Sequence, residues 1–134
     1  MNSRLSVILL LGALWAVIPN SYGEDSPKSL KVSSLDSIIL KTSSYQDYKI
    51  GRALMRRKTV LFIFPGSWDP YSNHVLKVLR NLEADLAADN VQVIAVTTDS
   101  PLRIKNLQDK HDIPFVVASD PELWVARQFK MTES

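Results

Sequence analysis

Three times between residues 59 and 129 the chain writes the same arrangement: an apolar run, an acceptor side chain directly before a proline, then an amphipathic stretch. The apolar runs are residues 59–64 (Thr-Val-Leu-Phe-Ile-Phe), 91–97 (Val-Gln-Val-Ile-Ala-Val-Thr) and 115–118 (Phe-Val-Val-Ala). Near-continuous hydrophobicity of this β-branched and aromatic kind marks strands buried on both faces. The turns are Asp69-Pro70, Ser100-Pro101 and Asp120-Pro121. In each, a side-chain oxygen can cap the first helical turn, while proline takes the position whose N–H has no partner to lose. Three strand–helix units in succession predict an α/β domain with a mainly parallel sheet. Functional sites in such sheets gather at the carboxyl ends of the strands, here residues 65–72, 98–100 and 119–120.

The helical stretches carry their own stripes. Val75, Leu76, Leu79, Leu82 and Leu86 recur at helical spacing after Pro70, Ile104 and Leu107 after Pro101, and Val125 and Phe129 after Pro121. Residues 24–43 read as an N-terminal arm, with a short edge strand over residues 35–40, and residues 44–134 as the folded domain. Its first helix is expected over residues 44–57, with Ser44 and Asp47 in capping-box spacing and Ile50, Ala53 and Leu54 as its apolar stripe. Lys49, Arg52, Arg56, Arg57 and Lys58 cluster at its end and read as a solvated face.

The N-terminus differs in kind. Arg4 precedes an apolar run over residues 5–18, Pro19 breaks it, and Ser21 and Gly23 are small residues in cleavage-site places. The run is shorter than the roughly 20 residues a bilayer span requires, so residues 1–23 read as a cleaved signal peptide and not a stable membrane span. The expected location is exported, periplasmic or secreted. Removing those 23 residues from 134 leaves 111 and takes only Arg4 from the charge count, giving 15 basic and 14 acidic residues. A net charge of +1 makes no electrostatic case for nucleic acid as a partner. The chain has no cysteine, so it can form no disulfide and carries no thiolate.

Residues 64–72, Phe-Pro-Gly-Ser-Trp-Asp-Pro-Tyr-Ser, join the first strand to its helix. They resemble the Trp-Cys-Pro-Tyr-Cys site of thioredoxin-like proteins and the Pro-x-x-x-Thr-x-x-Cys pattern of peroxiredoxins, with Pro65 in first place. The stretch 91–101 is similar to the second strand and Asp-Ser-Pro turn of the alkyl hydroperoxide reductase and thiol-specific antioxidant family. His111 to Phe115, Ser119 to Pro121 and Val125 to Arg127 continue the likeness in order. The resemblance implies a thioredoxin-like fold and thiol-dependent oxidoreductase or antioxidant activity. Yet Asp69 and Ser72 stand in both cysteine places of the first pattern, and in the threonine and cysteine places of the second. A serine hydroxyl is too weakly acidic to ionise as a thiol does at a helix N-terminus. The resemblance also implies two further strands and a closing helix beyond the position of Phe129. Without them the 59–64 strand becomes an apolar edge, so either the chain is a truncated product or another chain covers that edge, as in an oligomer.

At the loop, Asp69 is expected first as a helix cap and Ser72 as a first-turn residue whose hydroxyl meets water or backbone. A Ser72, His74 and Asp69 triad is disfavoured, because residues two apart on a helix point different ways. A metal held by Asp69, His74 and Asp99 matches no ligand spacing, and no cofactor is expected. Asp99 is expected to order its own turn, His111 to favour a helix C-terminus as a cation, and Trp68 to pack over the loop. The favoured reading is a non-catalytic module that binds a protein or peptide through Trp68, Asp69, Tyr71 and Ser72. The competing reading is the family's antioxidant oxidoreductase.

Overall fold

The computed structural model describes residues 7–11, 14–17 and 32–130. Among the described residues, seven strands form one sheet in the order β2 (Leu14–Val17), β1 (Val7–Leu11), then β5, β6, β7, β3 and β4, bounded as follows. At its centre β5 (Lys58–Phe64), β6 (Val91–Thr97) and β7 (Val116–Ser119) run parallel, with Phe64 opposite Thr97 and Thr97 opposite Ser119. The three carboxyl ends therefore lie together on one rim. A short hairpin of β3 (Ile39–Lys41) and β4 (Asp47–Lys49) joins antiparallel beside β7.

Alternation along β5 divides the core into two halves, as a period of two requires. Val60, Phe62 and Phe64 face α2 (Pro70–Ala88) and α3 (Pro101–His111), together with Val75, Leu76, Leu79, Ile104 and Leu107. Phe62 and Phe64 stack on this side with centroids 5.2 Å apart. Leu61 and Ile63 face the other way, against α1 (Ile50–Arg56), α4 (Trp124–Gln128) and a 3-10 turn over Val32–Leu35. Both layers bury side chains worth about 1.5–3 kcal/mol each. The result is the expected α/β arrangement, with helices covering both faces of a mainly parallel sheet. Among the described residues no helix is long and apolar enough to cross a membrane.

Several sequence expectations are corrected. The helix expected over 44–57 begins at Ile50, and Lys49 precedes it without a side-chain cap. Ser44 and Asp47 serve the β3–β4 hairpin instead: Thr42 Oγ1 lies 3.0 Å from Ser44 Oγ, and Asp47 pairs with Lys41 across the strands. The edge strand expected over 35–40 is later and shorter, because residues up to Leu35 coil into the 3-10 turn. Leu82 is exposed, although Leu86 one turn further along α2 packs against the cluster that holds Val75, Leu76 and Leu79. Pro121 does not open α4. The Asp120 carboxylate reaches past it to accept from the N–H groups of Trp124 and Val125, both at 2.9 Å.

The largest correction concerns the outer side of β5. That edge is covered by the chain's own N-terminal run. β1 (Val7–Leu11) pairs with it in parallel, Val7 opposite Thr59 through Leu11 opposite Ile63, and β2 (Leu14–Val17) pairs antiparallel beyond β1. The cleavage-site residues Ser21 and Gly23 lie outside the described residues, as do residues 131–134.

Candidate functional site

The site grows from the rim where β5, β6 and β7 end. After Phe64 the chain turns through residues 65–69 before α2 begins, with Asp69 N–H donating to the Gly66 carbonyl at 3.1 Å. Two neighbouring strand ends hold this turn in place. Thr98 Oγ1 donates to the Pro65 carbonyl at 2.7 Å, and Ser67 N–H donates to Asp99 Oδ2, also at 2.7 Å. Asp99 is buried and thus ties the β6 end to the β5 loop, whereas the sequence suggested a carboxylate serving only its own turn. Ser119 Oγ steadies it from β7 by donating to the Asp99 carbonyl at 2.6 Å. From α2, Asn73 Nδ2 donates to the Ser67 carbonyl at 2.9 Å, while its Oδ1 is buried without a partner.

Asp69 caps α2 as expected. Its carboxylate accepts from the N–H groups of Tyr71 at 3.3 Å and Ser72 at 3.2 Å. The same carboxylate also accepts the Ser72 hydroxyl, at 2.5 Å. That hydroxyl bond, chiefly, holds the Asp69 carboxyl below its ordinary value of 3.8, and the two backbone N–H groups add to the effect against a smaller opposing cost of burial. A carboxyl so lowered supports the fold above the ordinary value, and this support is lost as the pH falls through the lowered one.

Ser72 is fully buried, and its proton is directed to Asp69 rather than to water or backbone as expected. A nucleophilic serine needs a competent base and an approach for the substrate. Here the acceptor is a weakened base and the oxygen has no exposure. His74 is exposed on α2 and stands outside this hydrogen bond. Among the described residues no three histidine, aspartate or glutamate side chains gather as a cation would require.

Trp68 packs over the loop as expected, yet stays largely open to solvent. Its side chain is 69% exposed, with the indole lying beside Gly66, where an added Cβ would fall 2.4 Å from Nε1. Tyr71 is 43% exposed and Leu102, at the start of α3, is 58% exposed. The rim thus presents large apolar side chains above a partly buried polar clamp. The clamp residues Thr98, Ser67 and Asn73 carry no local sequence signal, because their partners lie on other elements. His111 also departs from expectation. Burial, then Lys77, Lys110 and Arg80, lower it from its ordinary value of 6.5 against the opposing pull of Asp112, so the neutral imidazole is favoured at this helix end. The basic cluster from Lys49 to Lys58 stands exposed, as a solvated face would.

Such a sheet, with an aromatic loop leading into a capped helix at its carboxyl rim, is the architecture of the thioredoxin-like class. Solved structures bear this out. The Xanthomonas campestris bacterioferritin comigratory protein, described for alkyl peroxide reduction, superposes with a TM-score of 0.67 at 20% identity, over 72% of this chain and 61% of that one. A Xylella fastidiosa PrxQ mutant gives 0.69 at 20% identity, over 75% and 63%. A secreted Mycobacterium tuberculosis disulfide oxidoreductase homologous to E. coli DsbE gives 0.61 at 18% identity, over 73% and 70%. This chain therefore spans less than two thirds of the two peroxiredoxin-type neighbours. No curated protein sequence matches it. The profile of the AhpC/TSA family matches residues 32–134, and the chain belongs to that family. It does so without a cysteine anywhere in its sequence.

Proposed function

We propose that the chain is an exported, non-catalytic member of its family that binds a protein or peptide at the rim formed by Trp68, Asp69 and Tyr71, with Ser72 buried beneath them. The observation that carries this reading is the Ser72 to Asp69 hydrogen bond. It places a buried, proton-donating hydroxyl where the family pattern has its cysteine, while Trp68, laid over Gly66 in the same loop, keeps most of its surface exposed. Family chemistry needs a thiolate, and none can form. Exposed aromatic residues on a rigidly held loop are the usual anchors of a binding surface. Export rests on Arg4, the apolar run, and Ser21 and Gly23.

The test is peroxide consumption and insulin-disulfide reduction by the purified chain lacking residues 1–23, beside selection of ligands from a displayed peptide library. Ligands whose binding is lost on Trp68→Ala, with no turnover in either assay, are the expected result. Turnover by the unaltered chain would sink the non-catalytic reading in favour of the family's oxidoreductase activity.

A further inference from the structure

All of β5 after Lys58 is buried, and its seven residues form the longest apolar strand edge in the domain alongside β6. β1 matches it residue for residue over Val7–Leu11. Yet β1 belongs to the segment that carries the signals of a removable leader. If residues 1–23 leave the chain, the edge opens, and an apolar edge with free N–H and C=O groups is a template for another strand.

We infer that the β5 edge is a strand-acceptor site, held by residues 7–11 in the full chain and by β5 of a second copy once they are gone. This inference rests on the leader processing proposed above, but the site itself does not involve the Trp68 rim. Antiparallel pairing about Leu61 satisfies both copies at once. Val60 then faces Phe62 of the second copy, Thr59 faces Ile63, and Lys58 faces Phe64. No like charges meet in this register, and one patch serves both partners, as a two-fold interface requires. The parity also matches. Residues directly opposite share a face of the sheet, so Val60, Phe62 and Phe64 of both copies stay on the α2 side. α2 packs chiefly on β6, one strand in from the edge, which leaves the approach clear.

The test uses the full chain, made by cell-free synthesis so that no leader is removed, in two variants. Leu11→Cys/Ile63→Cys places thiols on registered neighbours of a parallel pair, where Cα atoms about 4.8 Å apart permit a bridge. No native cysteine competes. Leu9→Pro removes an N–H from β1 and breaks its pairing without touching the core helices. The expected outcome is an intrachain bridge and a one-copy mass for the oxidised double variant, with a doubled mass for Leu9→Pro in sedimentation equilibrium. Failure of the intrachain bridge, a one-copy Leu9→Pro protein, or polydisperse aggregates in place of a two-copy species would each overturn it. Peptide selection at Trp68 is untouched by these outcomes, so the two proposals fail separately.

Discussion

Asp69-Pro70 and Asp120-Pro121 are the same dipeptide at the same kind of turn, and the fold uses them differently. At the first, the carboxylate caps the helix directly and proline opens it. At the second, the backbone is caught early: Asp120 N–H donates to the Thr97 carbonyl at 2.7 Å, which buries Asp120 beside β6. Its carboxylate then reaches four and five residues ahead, while Leu123 takes a left-handed conformation with φ of 58° before α4 starts. The dipeptide specifies that a carboxylate will satisfy helix N–H groups. A tertiary bond decides which ones, and whether the carboxylate ends inside the protein or at its working rim.

This contrast is sharpest in stability. Asp120→Ala strands two N–H groups, one of them buried, and is expected to cost about 2–3 kcal/mol in urea unfolding, since bonds to charged groups are worth about 1.5–3 kcal/mol. Asp69→Ala should cost clearly less, because water can replace an exposed carboxylate. Equal losses would break the distinction between a structural cap and a rim cap.

The rim carboxylate should instead dominate chemistry. In Ser72→Cys the new thiol would sit against the Asp69 carboxylate, and a like charge disfavours the thiolate. Alkylation by iodoacetamide at pH 7 is expected to be at least about tenfold slower than in Asp69→Thr/Ser72→Cys, since each pKa unit is a tenfold change in thiolate fraction. Equal rates would show that the 2.5 Å bond has no electrostatic consequence.

Trp68→Ala should change stability by no more than about 0.5 kcal/mol, as exposed substitutions do, while abolishing ligand binding. A large loss of stability would make Trp68 chiefly a packing residue of the loop. The smallest effect concerns His111. Its lowered folded value means the unfolded chain takes up the proton first as pH falls. Stability should therefore decline slightly from pH 6.5 down to the lowered value and then level off. His111→Asn should flatten that slope in urea titrations between pH 5 and 8.

What the sequence made legible was whatever its residues decide locally. β5, β6, α2 and α3 follow from periodicity and from caps two or three residues away. At α1 the local pattern misleads: Ser44 and Asp47 fit a capping box, yet Tyr45 enters the left-handed region at φ 63° and turns them into a hairpin. That hairpin exists because Lys41 finds Ser119 of β7, a contact no local pattern announces. The site divides the same way. Asp69 as a cap was readable from the cap spacing alone. The exposure of Trp68, the reach of Asp99 to Ser67 and the bridge from Asn73 each join residues from different elements.

The carboxylate at the start of α2 has a last consequence. A thiol at such a position switches charge, shape and bonding partner whenever the surrounding couple shifts from reducing to oxidising. Asp69 and Ser72 hold one proton inventory and one geometry through that whole range. The rim is a constant face, the same to any partner under reducing and oxidising conditions alike.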